Sequence, residues 1–335
     1  MKLSVIIPFY NADKWIGSCL DSLLDQDINH DEYEIIIIDD GSTESINVLK
    51  EYVGRYDSIH YYYQPHSRVG AARNQGISVA KGEYLFFCDA DDYVQTRTFG
   101  RLLEIAVNEQ LDALFFDMLS VRRGDCPFEF HNDFNDVIFY DTGIDYLVSP
   151  PHPISFSSCQ CIIRGSVLNK LSLSFPEGMM MAEDRFFVVN MLQKIGKVGH
   201  VDSVVYYYVQ NHESLTHYWG KKIRAGEYAN NLYQFVGFLS DLIDNHEIIE
   251  KVRSVLIHWR QDDVFTLLNN VFRYCPVSES KDYIGRLKGI GAYPFPERGL
   301  GGRIGIVEKV MMKERLWLLA CQLFHVLPQK VRYRF

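Results

Sequence analysis

Two phosphate-binding signatures are missing from this 335-residue chain. No G-x-G-x-x-G follows the first strand-like segment and no G-x-x-x-x-G-K-[ST] occurs anywhere, which argues against dinucleotide oxidoreductases and P-loop enzymes. Positive charge is in deficit: 34 Lys and Arg stand against 43 Asp and Glu, a net charge of -9, so nucleic acid is not an expected partner. Long apolar runs are scarce as well. Leu316 to Leu327 is apolar at ten of its twelve positions, too short to span a bilayer. No secretory signal precedes Leu3-Ser4-Val5-Ile6-Ile7, and the seven cysteines are an odd number with one close pair, Cys159-x-Cys161. A disulfide framework or a cysteine metal cluster is therefore not expected; reduced thiols, strand packing for the Cys159 pair and a cytoplasmic location are.

What is present suits a large core. Apolar residues make up 47% and charged residues 23%, enough for a full α/β domain and a smaller second one. Leu3 to Ile7 reads as a strand stopped by Pro8, followed by Trp15, Ile16, Cys19, Leu20, Leu23 and Leu24 at helical spacing. Glu34 to Ile38 is a second strand closing on Asp39-Asp40-Gly41-Ser42, where Ser42 or Thr43 can cap the next helix. Ile59 to Tyr63 is a third, leading through Pro65 to the small-residue helix start Gly70-Ala71-Ala72-Arg73-Asn74; Tyr84 to Cys88 is a fourth. Four strands alternating with three helices predict a mainly parallel sheet covered on both faces. Right-handed crossovers then bring Pro8 to Asn11, Asp39-Asp40 and Asp89 to Asp92 to one edge, where open α/β sheets bind ligands.

The run Asp89-Ala90-Asp91-Asp92 offers two carboxylates spaced by one small residue at a strand end. That donor set suits Mg2+ or Mn2+, which fill their other positions with water and phosphate oxygens. Taken alone it is equally a solvated turn capping the next helix through Asp92 or Thr96. Asp40 can accept from a base imide N–H, favouring uracil or thymine, or can form an Asx turn. Arg73 supplies a rigid fork for diphosphate or for fixing an acidic partner.

The combination Ser4-Val5-Ile6-Ile7-Pro8-Phe9-Tyr10-Asn11, Ile38-Asp39-Asp40-Gly41-Ser42, Ala72-Arg73-Asn74-Gln75-Gly76 and Gly82-Glu83-Tyr84-Leu85-Phe86-Phe87-Cys88-Asp89-Ala90-Asp91-Asp92 resembles glycosyltransferase family 2, of GT-A fold, in order and spacing over the first third of the chain. The resemblance implies that Pro8 and Tyr10 border the base, Asp40 reads uracil, Arg73 supports the nucleotide, and Asp89 and Asp91 serve ribose and metal. His66-Ser67-Arg68 departs from the Asn and Gly residues common at that place. By the same resemblance the acidic pair opening the apolar helix Met181-Ala182-Glu183-Asp184-Arg185-Phe186-Phe187 lies across the cleft from the metal, with Asp184 as general base and Glu183 as its neighbour or an acceptor contact. On composition alone these acids are N-terminal helix-dipole partners. Ala182 stands where Gly is frequent, a change of little cost unless the backbone needs a positive φ. Val204 to Tyr208 resembles the closing strand of the catalytic domain, with Val209 in place of a frequent Arg, and His217 beyond it is a candidate metal ligand or phosphate contact.

These readings divide the chain into a GT-A catalytic domain, 1–218, with a nucleotide-sugar half (1–120) and an acceptor half (121–218), and a helical C-terminal region, 219–335. Residues 122 to 156 read as loop-rich. In the C-terminal region Tyr228, Leu232, Phe235, Leu239 and Ile243 form one apolar stripe, and Val255, Ile257, Trp259, Val264, Leu267, Leu268 and Val271 a second. The tail from Gly301 has seven Lys or Arg against two Glu, and its amphipathic pattern suits peripheral membrane contact through 303–335 on the inner face of the cell membrane, a buried helix or a dimer interface. The expected activity is metal-dependent inverting transfer from a UDP-sugar to a hydroxyl of a glycan or lipid-linked saccharide, in cell-surface polysaccharide synthesis. A sugar-1-phosphate nucleotidyltransferase is the alternative enzyme, but it expects a glycine-rich loop that Pro8-Phe9-Tyr10-Asn11 does not provide. A non-catalytic nucleotide-sugar or glycan-binding module is the other, against which Asp89, Asp91 and Asp184 stand intact.

Overall fold

The computed structural model describes residues 1–122, 134, 136–152, 156–210, 224–246, 248–294 and 309–326. The chain divides into two compact units, Met1–His212 and Glu213–Phe335. The first is built from β1 (Leu3–Phe9), α1 (Asp13–Leu24), β2 (Tyr33–Asp39), α2 (Asn47–Arg55), β3 (Ile59–Tyr63), α3 (Arg68–Val79), β4 (Tyr84–Phe87), β5 (Tyr93–Val94), α4 (Phe99–Asn108), β6 (Ala113–Arg122), β7 (Val137–Tyr140), α5 (Gly143–Val148), β8 (Cys161–Arg164), α6 (Gly165–Lys170), α7 (Glu183–Leu192) and β9 (Val198–Gln210).

The strands form a single nine-stranded sheet in the order β3-β2-β1-β4-β8-β6-β9-β5, with β7 also paired to β9. Its first four strands are parallel, as the alternating pattern predicts. They are buried on both faces: Leu3, Val5, Ile6 and Ile7 of β1 and Ile35 to Ile38 of β2 are essentially inaccessible. Beyond β4 the sheet becomes mixed. β8 inserts antiparallel between β4 and β6, β6 and β9 run parallel, and β5 and β7 are antiparallel to β9. Cys161, expected to pack in a strand, opens β8, and Cys159 precedes it in a single 3-10 turn; all six described cysteines are buried free thiols.

Polar residues inside the parallel strands are satisfied locally. Ser4 Oγ donates to Glu34 Oε1 at 2.6 Å, and the same carboxylate oxygen accepts from Lys81 N at 2.8 Å, so the buried acid is held at the edge away from the acidic run. The cap expected for α2 is not supplied by Ser42 or Thr43. Helix α2 starts at Asn47, and Asp13 of α1 accepts from Val48 N and Leu49 N at 3.2 and 3.0 Å. A carboxylate there answers both the orphan N–H groups and the helix dipole, and ties two helices that are neighbours in space.

The second unit is helical: α8 (Ala225–Asp244), α9 (Glu250–Tyr274), α10 (Val277–Gly289) and α11 (Glu314–Val326). The α8 stripe is buried as read, whereas on α9 the buried face is Val252, Leu256, Val264, Leu267, Leu268 and Val271, and Val255, Ile257 and Trp259 are only half-buried. In the tail Trp317 and Cys321 turn inward, Trp317 onto Phe272 with ring centroids 4.8 Å apart, while Leu316 and Leu319 remain exposed. Among the described residues no helix is long and apolar enough to cross a membrane.

Helix α3 lies on β1 so closely that a Cβ at Gly76 would stand 2.3 Å from Ile6 Cγ2. Gly76→Ala is therefore expected to cost about 1–3 kcal/mol, read as a melting temperature lowered by roughly 2–10 °C in a thermal unfolding scan.

Candidate active site

Strand register brings the separated motifs to one edge. Pro8 lies opposite Ile38 and Phe9 opposite Asp39, and Ile6 lies opposite Phe87, so Pro8 is level with the start of the acidic run. Asn11, at φ +50°, stitches the ends of β1 and β2 together: its Oδ1 accepts from Thr43 N at 2.8 Å and its N–H donates to Ser42 Oγ at 3.0 Å. Ser42 and Thr43 thus serve the edge of the sheet rather than the next helix.

Asp39 and Asp40 are both buried, and both are occupied. Asp39 accepts from Ser42 N at 2.9 Å and from the Tyr61 hydroxyl at 2.7 Å. Asp40 Oδ1 accepts from Gln64 Nε2 at 2.6 Å and Ser67 N at 2.8 Å; its Oδ2 meets Arg68 N and His66 Nδ1, each at 2.8 Å. Four donors fill the lone-pair capacity of one carboxylate. The resemblance gives Asp40 a base imide, with an Asx turn as the other reading; in this structure the carboxylate clamps the turn Gln64–Arg68 against β2. That turn has features glycine would serve. Arg68 has φ +75°, and a Cβ on Gly41, at φ +77°, would stand 2.7 Å from His66 N. The clamped turn presents His66 to Tyr10, with ring centroids 4.6 Å apart, and Tyr10 is exposed beside it.

At the centre lies Arg73. Its guanidinium is buried, with Nη1 2.7 Å from Glu183 Oε1 and Nη2 2.9 Å from Asp89 Oδ1, and it sits over the Phe175 ring at 5.2 Å. Of the two uses open to it in sequence, fixing acidic partners is the one seen. A single side chain from α3 thereby links the end of β4 to the start of α7, with Arg73 and Glu183 110 residues apart in the chain. The two carboxylates hold the guanidinium firmly charged despite its burial. Glu183 is itself buried and faces Arg73.

Asp184, next to this ion-paired glutamate, is pushed up to about 7 by burial and by the Glu183 charge, with Arg73 pulling the other way. It accepts from Arg185 N at 2.9 Å. The residue ahead of the pair, Ala182, has φ +70°, so the backbone does adopt the left-handed conformation that would favour glycine there.

Asp92 has a different part from its neighbours. It is buried, its Oδ2 accepts from the Tyr206 hydroxyl at 2.7 Å and its Oδ1 from Val209 N at 2.7 Å, and Tyr206 in turn accepts from Asp89 N at 3.1 Å. Burial and the charges of Asp91 and Asp89 push Asp92 well above the usual carboxylate range. The third acid of the run therefore fastens β9 to the strand end that presents the other two. Neither this link nor the Asp13 cap has a sequence signal other than the acid itself. Val209, where Arg is frequent in relatives, is core, packed with Tyr93, Val121 and Tyr207. His217 lies outside the described residues. Asp89 keeps 36% of its side chain exposed with Oδ1 pinned by Arg73, so an oriented hard carboxylate faces outward beside Asp91, a donor set that fits Mg2+ or Mn2+. A cavity of about 500 Å³ lined by Lys2, Gln26, Asp27, Glu32 and Asn108 opens at the other end of β1 and β2, away from all of these groups.

The mixed sheet, with parallel strands leading to Asp39, Asp40 and Asp89, is of the GT-A type. The fold is shared with Staphylococcus aureus TarS 1–349 in complex with UDP-GlcNAc, at a TM-score of 0.65 and 20% identity over 97% of this chain and 92% of that one. The profile of Glycosyl transferase family 2 matches residues 4–170, and the chain belongs to that family. Curated relatives include a poly(ribitol-phosphate) beta-glucosyltransferase of Bacillus spizizenii, 30% identical over 72% of this chain and 36% of the relative. Another is the uncharacterized glycosyltransferase EpsJ of Bacillus subtilis, 32% identical over 64% of this chain and 62% of the relative. The chain thus spans about a third to just under two thirds of the length of these relatives.

Arg73→Met leaves the buried Glu183 without its counter-charge, and the expected loss is about 3–5 kcal/mol in chemical denaturation, with Arg73→Met/Glu183→Met losing less than the single change. Ala182→Gly relieves the left-handed backbone and is expected to stabilise by about 0.5–1 kcal/mol, read in the same titration.

Proposed function

We propose that this chain transfers a sugar, with inversion, from a UDP-sugar to a hydroxyl of a cell-surface polymer, either a glycan or lipid-linked saccharide or a polyol-phosphate chain of the teichoic-acid kind. The observation that carries the reading is the Asp89–Arg73–Glu183 bridge, which puts Asp184 within one guanidinium and one residue of the outward-facing acidic run. Family membership and the UDP-GlcNAc complex of TarS support the donor, and the name of the B. spizizenii relative supports the acceptor.

Pro8, Tyr10 and the His66 turn border the base, with Asp40 acting through the turn that it holds. Asp89 and Asp91 hold Mn2+ or Mg2+, which offsets charge on the diphosphate when bound. Arg73 positions Asp89 and adds positive potential to the same wall. Asp184 is the base. The acceptor oxygen forms a bond to the anomeric carbon as the bond from that carbon to the diphosphate oxygen breaks; the electron pair leaves with UDP, and the hydroxyl proton passes to Asp184. A carboxyl poised near 7 is a better match for this task than an ordinary aspartate, because its conjugate acid is weaker while the carboxylate is still well populated at neutral pH. His217 remains a candidate contact to metal or phosphate. In the tail, exposed Leu316 and Leu319 beside Arg315 supply the groups for contact with an anionic membrane surface.

UDP-sugars are screened first for cation-dependent hydrolysis, then for transfer to polyol-phosphate and glycan acceptors. Asp91→Ala or added EDTA is expected to lower turnover by at least 100-fold, and full activity in EDTA excludes the metal. Asp184→Asn should bind UDP as tightly as the parent by calorimetry yet lose transfer, and an unchanged kcat removes it as base. Because only the ionised form accepts the proton, log kcat/KM is expected to climb by about one per pH unit below 7 and to level off above it.

A further inference from the structure

A second cluster of ligand-type side chains lies on the β6–β9 side of the first unit and shares no residue with the proposed transfer site. Asp117 of β6, His200 of β9 and His152 after α5 present atoms that all fall within 4.8 Å of one another. His152 Nε2 is 3.8 Å from Asp117 Oδ2 and 3.1 Å from Asp202 Oδ1, and His200 Nε2 is 3.5 Å from Asp117 Oδ1. The group is two imidazoles and one carboxylate, with Asp202 against His152 at its edge. The local backbone explains the gathering: the β6–β9 register slips on both sides of Asp117, pairing Phe116 with Val201 but Asp117 with Val204. Such a bulge re-aims side chains, and here the slip follows Val201, with His200 just before it and Asp202 inside it.

The independent sign of a ligand is His200. It is 3% exposed, and its Nε2 is a buried nitrogen with no hydrogen-bond partner although it points toward Asp117. Its other nitrogen, Nδ1, lies 3.0 Å from the Tyr146 hydroxyl, whose ring stacks on the imidazole at 5.9 Å between centroids. In the tautomer whose Nδ1–H donates to Tyr146, Nε2 carries the free lone pair, which is how metal-binding histidines are held by a partner behind them.

We propose that Asp117, His152 and His200 form a three-ligand site for Zn2+ or a similar borderline transition metal, with the fourth position open to water, distinct from the Mg2+ or Mn2+ of Asp89 and Asp91. Zinc bonds of 2.0–2.1 Å at tetrahedral angles set ligand atoms about 3.3 Å apart, and the Asp117 oxygens lie 3.8 and 3.5 Å from the two imidazole nitrogens. Two imidazoles and one carboxylate leave the fourth position for water. Imidazole suits Zn2+, whereas Mg2+ prefers an all-oxygen shell, so the two sites select different ions. The site staples the segment after α5 to the β6–β9 pair.

The test uses the full chain, freed of any affinity tag and stripped of metal, titrated with Zn2+ in competition with a chromogenic chelator. One equivalent is expected to bind and to raise the melting temperature. His152→Ala, at a half-exposed position that does not threaten folding, is expected to weaken binding at least tenfold, while Asp91→Ala leaves it unchanged. Co2+ in place of Zn2+ should give visible bands of tetrahedral intensity that vanish in His152→Ala. No binding at micromolar Zn2+, equal affinity in His152→Ala, or loss of the site in Asp91→Ala overturns the proposal.

Discussion

A buried guanidinium shared by two carboxylates organises the first unit. Arg73 is taken out of water, a cost that only paired charge at hydrogen-bond distance offsets, and Asp89 and Glu183 stand at 2.9 and 2.7 Å. Removing either acid leaves charge uncompensated, so the end of β4 and the start of α7 are bound to each other's position. The consequence is geometric. The strand end that would meet a cation and the helix start that would take a proton cannot drift apart without exposing or orphaning this pair. Asp92 does the corresponding work on the other flank, where its bonds to Tyr206 and Val209 hold β9 to the same strand end. Within four consecutive positions, Asp89 thus keeps part of its side chain exposed while Asp92 holds the wall from behind.

The parallel half of the fold was legible because buried parallel strands are short continuous apolar runs, and helices between them carry their own period. Leu3 to Ile7, Glu34 to Ile38 and Tyr84 to Phe87 are strands where the pattern put them. Strand β8 was not legible: four residues between a 3-10 turn and a short helix carry too little pattern to separate strand from loop, and the pairing that defines it comes from β4 and β6. On α9 the apolar residues outnumber those one face can bury. Position around the helix is therefore fixed by neighbours, which pick Val252 and Leu256 over Val255 and Trp259.

Which residues belong to the candidate site was readable, but not what each one touches. Motif order placed Asp40, Arg73, Asp89 and Asp184 in one region, yet a sequence does not say whether a carboxylate is waiting for a ligand or already has its donors. Asp40 has four, all from residues 64 to 68, and that stretch carries the departure His66-Ser67-Arg68. Ala182 shows the converse. The resemblance marks it as a place where glycine is frequent, and the backbone angle of φ +70° supplies the reason. The Asp117–His152–His200 cluster escaped notice because its members come from two strands and a loop, with spacings of 35 and 48 residues that match no short metal-binding pattern.

The clamp on residues 64 to 68 bears on how fast and how tightly a nucleotide can be held. Ordering a backbone residue at the moment of association forfeits about 1–2 kcal/mol of conformational freedom. Here the wall carrying His66 is fixed by Asp40 whether or not anything is bound. On the proposed reading, affinity for the base would be decided by the fit of Tyr10 and His66 against it, and the encounter would be the docking of a ring on a standing surface with no loop left to fold.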